Sequence, residues 1–128
     1  MAGAMPVEHT IRGTDGHPSI GTYTSAVVNC AAGATTAVIA APGAGKQIWI
    51  YGLKGAADTA AGIVTIEDSG GTDYSGAMAV SDEGHIPAHN LSGLWDMPHY
   101  KLATNKGLSI TTVGCTLTGS VQYATVTL

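Results

Sequence analysis

From Thr35 to Glu67 the chain reads TTAVIAAPGAGKQIWIYGLKGAADTAAGIVTIE, three runs of β-branched and aromatic residues parted by Gly, Ala and Pro. Apolar runs bounded by turn formers predict strands. The middle run, Lys46 to Leu53, is apolar on both sides. Ile48 and Ile50 share one face, and strict alternation assigns Trp49, Tyr51 and Leu53 to the other. A strand apolar on both faces needs cover twice, once from its own core and once from something else. A second copy of the chain is one expected source of that second cover.

The pattern continues in both directions. Thr22–Cys30, Thr36–Ala40, Ile63–Glu67, a short piece around Tyr74–Val80, and Gly119–Leu128 read as strands. Leu108 and Ile110 alternate with Ser109 and Thr111 in a further one. The small-residue stretches Ala31–Ala34, Pro42–Gly45, Gly55–Gly62 and Asp68–Asp73 read as turns. Pro87 and Pro98 break any long ladder between Ser81 and Lys106, leaving short edge strands near His85–Ile86 and Tyr100–Leu102. No window combines a 3.6-residue apolar stripe with capping residues. About eight short strands with Gly-rich turns predict an all-β sandwich or barrel. Residues 1–21, with Pro6, Pro18 and four glycines, lack apolar periodicity and read as an extended N-terminal arm or a solvated tail. The domain itself then spans 22–128.

Composition changes this picture in one respect. At 128 residues the chain fits one domain, with a core of Val, Ile, Leu, Tyr and Trp because Phe is absent. Only 11% of its residues are charged, against about 25% in ordinary soluble domains. Much of its surface is therefore expected to be covered in use. The formal charge of −4 and the scattered basic residues argue against a nucleic-acid partner. The start, MAGAMPVEHTIRG, has no secretory pattern, and no run approaches the roughly 20 apolar residues of a membrane-spanning helix.

Candidate chemistry is sparse. Ala41-Pro42-Gly43-Ala44-Gly45-Lys46 resembles a phosphate-binding loop, but Ala40 stands at the first glycine position and Gln47 at the hydroxyl position. A strand follows it, not the helix whose N–H groups would face phosphate, so it reads as a turn. His85, His89 and His99, with Glu83 and Asp96 nearby, have ligand chemistry without ligand spacing and predict no metal site. Cys30 and Cys115 lie in apolar strands, where a thiol is inert. No nucleophile elbow or acid–histidine pair is visible, so no catalytic residue and no cofactor is expected. Asp68, Asp73 and Asp82 read as turn residues, solvated or bonded to backbone. Trp49, Tyr51 and Trp95 suit an interface, because they combine large apolar area with a polar handle, and suit a Phe-free core equally well.

Several of these segments together resemble the small jelly-roll virion proteins of tailed bacteriophages, the capsid decoration (cement) proteins and related head-fibre domains. The residues that carry the resemblance are the turn Ala40–Lys46 into Ile48–Leu53, the turn Ala56–Gly62 into Ile63–Glu67, and Ser75–Met78. Asn90–Trp95, Asn105–Ile110 and Gly119–Ala124 complete it. These are strands and turns, not reactive groups. The resemblance implies a single jelly-roll-like β-sandwich and a homotrimer on the outside of a phage head, assembled in the host cytoplasm. Its partners would be its own copies and the major capsid protein, with no membrane or nucleic acid involved. Subunit or capsid contacts would fall to Trp49, Tyr51, Leu53 and Trp95, and to His9 and Arg12 of the arm. The alternative is a head-fibre or tail-fibre knob that binds a host receptor or glycan through the Ser81–Tyr100 loop.

Overall fold

The computed structural model of the chain describes residues 19–20, 24–58, 60–89 and 98–128. Among them lie ten strands and no helix: β1 (Ser19–Ile20), β2 (Thr24–Cys30), β3 (Thr35–Ile39), β4 (Lys46–Ala57), β5 (Gly62–Asp68), β6 (Met78–Val80), β7 (His85–His89), β8 (Tyr100–Lys101), β9 (Leu108–Val113) and β10 (Leu117–Thr127). β1 and β8 are two-residue pieces, and β1 places Ser19 and Ile20, expected in the arm, against Thr127 and Val126. Every pairing is antiparallel. In the larger sheet, sheet A, β10 has β4 along one flank and β2 with β1 along the other. The far side of β4 takes β7 beside Gly52–Ala56 and β8 beside Trp49–Ile50. Sheet B runs β3-β9-β5-β6.

The two sheets pack in a sandwich-like arrangement around one main core. Val28, Ile48, Ile50 and Val121 of sheet A join Ile66 and Ile110 of sheet B in it, each at most 1% exposed. Full burial of such a side chain stabilises the fold by about 1.5–3 kcal/mol.

β4 departs from the sequence expectation in two ways. It carries a β-bulge: Gln122 pairs with Gly52 and Tyr123 with Ile50, so the register steps over Tyr51. One extra residue reverses the facing of everything beyond it. Ile48 and Ile50 share a face as alternation predicts, and that face is the inward one, but Leu53 also points inward, into the main core, and not to the side of Trp49 and Tyr51. The strand also continues to Ala57, through residues that read as a turn. Gly55 pairs with Gly119, and a Cβ on Gly55 would stand 2.8 Å from Leu117 Cδ1. A Cβ on Gly119 would run into the Lys54 carbonyl. The small residues are there because β4 and β10 approach too closely for larger ones, so tertiary packing overrides local propensity.

The loops at one end of the sandwich are tied together by side chains. Asp68, 2% exposed, accepts hydrogen bonds from the N–H groups of Gly70 (2.8 Å) and Thr72 (3.1 Å) and from the Tyr74 hydroxyl (3.1 Å). Tyr74 in turn accepts from the Ala103 N–H at 2.8 Å. Ser69 and Gly107 exchange two hydrogen bonds, and Asn105 Oδ1 accepts from the Gly43 N–H at 2.9 Å. Burial alone pushes the Asp68 carboxyl up. The Thr72 and Gly70 N–H groups, the Tyr74 hydroxyl and the nearby Lys106 ammonium outweigh it and hold the group below its ordinary value.

Candidate functional site

The bulge makes sheet A a strand pair with two dissimilar outer regions. On the Lys46 side of it, Trp49 of β4 and Ala124 and Val126 of β10 form a second apolar cluster on the face turned away from the main core, with half-buried Tyr51 packed against it. Trp49 is 3% exposed and Ala124 and Val126 are fully buried. The indole N–H donates to Gln47 Oε1 at 2.7 Å. The Lys101 ammonium, brought opposite by the Trp49–Lys101 pairing, stands 4.3 Å from the ring centroid. That is a cation–π contact. β4 thus buries both faces over this half.

On the other side of the bulge the same face has low relief. The register aligns Ser25, Gln122, Gly52 and His89 in one cross-strand row, then Val27, Ser120, Lys54 and Pro87, then Asn29, Thr118, Ala56 and His85. Gly52, Ala56, Thr118 and Ser120 supply a floor without large side chains. Two depressions result. One, of about 440 Å³, lies between Lys54, Ala56, His85 and Thr118. The other, of about 210 Å³, lies between Gly52, Lys54, Ser120 and Gln122. Lys54 borders both and divides the groove. Val27, 77% exposed, stands at its rim.

Charge divides by sheet. The strands of sheet A contain Lys46, Lys54, Lys101, His85 and His89 and no Asp or Glu. The strands of sheet B contain Glu67 and Asp68 and no Lys, Arg or His. Sheet B's outer face is a row of short side chains. Thr111 bonds to both Thr35 and Glu67, and the opposed pair Ile63 and Val113 is 41% and 56% exposed. Sequence reasoning missed Lys54 and the groove, and weighed His85 only as a metal ligand or part of a loop, because only strand pairing shows which side chains share a face.

The other sequence candidates are dispersed. Trp49 and Tyr51 stay together, while Leu53 is 2% exposed on the opposite side of β4. Trp95, His9 and Arg12 lie outside the described residues, as do most of residues 1–21. The phosphate-loop lookalike links β3 to β4, with Lys46 N–H donating to Gly43 O at 3.2 Å. His85 opposes Ala56 and His99 donates to Ile50 O, which puts the two roughly 20 Å apart along β4. Among the described residues no three His, Cys, Asp or Glu side chains are placed to hold a metal. Cys30 and Cys115 are buried free thiols. Burial pushes the Cys30 thiol up, a hydrogen bond with Thr36 opposes this, and Cys115 adds to it. Comparisons of the chain with protein families, curated proteins and solved structures find no match.

Proposed function

We propose that the chain is a non-enzymatic assembly protein, a trimeric decoration protein that seats on the outside of a phage head and braces contacts between major capsid subunits. The observation that carries the assembly reading is the low-relief outer face of sheet A beyond the bulge, built of Gly52, Ala56, Thr118 and Ser120 with Val27 77% exposed at its rim. Trp49, Ala124 and Val126, on the other side of the bulge, are already covered within the single chain. The low charge of the chain supports it too, since a charge-poor surface suits a protein whose faces are occupied. The phage-head reading draws on the resemblance carried by Ala40–Lys46, Asn105–Ile110 and Gly119–Ala124. A jelly roll is supported by the strand orders: β2-β10-β4-β7 make four lanes of one sheet and β3-β9-β5-β6 the four lanes of the other. Three copies engaging several capsid subunits at once would multiply weak contacts into firm attachment.

Quantitative mass spectrometry of purified particles tests this reading. A copy number comparable with that of the major capsid subunit is expected. A handful of copies would move the chain to a fibre or vertex position, and absence from particles would sink both.

A further inference from the structure

We propose that the groove on the outer face of sheet A, which Lys54 divides, is the docking site for an extended, carboxylate-bearing segment of a partner protein. This deepens the assembly reading and rests on it only in taking the partner to be a protein. The first support is charge. A chain of formal charge −4 has a six-strand sheet free of carboxylates, with Lys54 exposed at the centre of its face and His85 exposed at one side. The acidic residues nearest in sequence, Asp58, Asp82 and Glu83, lie in the turns beyond that end of the sheet, where like charge disfavours a carboxylate, which leaves Lys54 as its counter-charge on this face. A partner matched to this face brings negative charge.

The second support is shape. The depressions beside Lys54 have walls of Ala56 and Thr118 on one side and Ser120 and Gln122 on the other. With exposed Val27 at the rim, the groove takes aliphatic side chains next to the charged one. β4 and β10 are paired on both flanks here, so neither offers an edge beneath the groove and recognition there runs through side chains on the face. Nucleic acid fits poorly. Its backbone needs a track of several cations, whereas this face offers Lys54 and His85 among Gly, Ala, Ser and Thr, on a chain whose net charge repels polyanions.

The test uses the full chain, isotopically labelled, and three probes: an acetylated, amidated heptapeptide Val-Ser-Glu-Ser-Val-Ser-Glu, whose Val and Glu share one face when extended, its Gln counterpart, and an oligothymidylate. The Glu peptide is expected to bind roughly ten-fold more tightly than the Gln peptide at low salt, with the gap closing at high salt. Its chemical-shift changes should fall on 52–56, 85–86 and 118–122. Lys54→Glu reverses the central charge, and Ala56→Leu fills the floor without touching charge. Both sit on the outer face, and each should weaken Glu-peptide binding by about ten-fold or more. Equal affinity for the two peptides, no binding, shifts elsewhere, or tighter binding of the oligothymidylate would overturn the proposal. The two readings fail separately: a protein absent from particles that still binds the Glu peptide in the groove loses the phage-head role alone. One found on particles at high copy number, but indifferent to peptide charge, loses only the groove.

Discussion

The outer faces of the two sheets are built from similar strands and meet solvent differently. On sheet B, Ile63 and Val113 face each other across β5 and β9 and remain 41% and 56% exposed. On sheet A, Trp49 is 3% exposed and Ala124 and Val126 are fully buried on a face that likewise points away from the core. Apolar residues on an outer face are thus of two kinds: an isolated pair tolerated in water, and a cluster built into the structure. The first is ordinary for a soluble surface. The second belongs to the fold and to whatever the fold is for.

Substitutions break this comparison open. Trp49→Ala should cost about 3–5 kcal/mol, as for a core aromatic, measured by urea denaturation. If it costs no more than Val113→Ala, the second cluster is not part of the fold. Leu53→Ala is expected to cost about 2–5 kcal/mol, because the bulge turns it inward, and a near-neutral result would return it to the outer face. Asp68→Asn should cost about 1–3 kcal/mol by unpairing the buried loop network. Because the folded state holds the Asp68 carboxyl low, its contribution is complete above the ordinary carboxylate range, near about 4. It is lost as pH falls through the lower folded value. Wild-type stability, followed by thermal unfolding, should decline on that acid limb, and Asp68→Asn should flatten it. Lys101→Ala removes the contact over Trp49 and should cost about 0.5–1 kcal/mol. Ile63→Thr on sheet B should stay within about 0.5 kcal/mol of wild type.

The all-β class was legible because β-branched runs and Gly-rich turns recur along the whole chain. That Ile48 and Ile50 share a face was legible by alternation. That Leu53 joins them was not, since the pattern shows the period of a strand but not a register shift such as the one between Gln122 and Tyr123, which changes its phase. Gly55 to Ala57 read as a turn because small residues usually mark one. Their reason for being small, the Leu117 side chain and the close approach of β10, lies some sixty residues away in sequence. Asp68 was readable as bonded to backbone. Its burial and its link through Tyr74 to Ala103 depend on two loops meeting. Lys54 and His85 look like scattered charges until the register of β4 with β7 and β10 places them on one face.

The central place of β10 has a consequence for biosynthesis. It pairs with β1, β2 and β4, all of which leave the ribosome long before it does. Until β10 emerges, β4 waits with apolar residues on both sides and without the neighbour that fills its longest ladder. Sheet B needs nothing beyond β9. β10 follows β9 after three residues, so both sheets are completed by the last strands to be made. Until then β4 stays open on the flank that β10 fills and exposed to pairing with other chains.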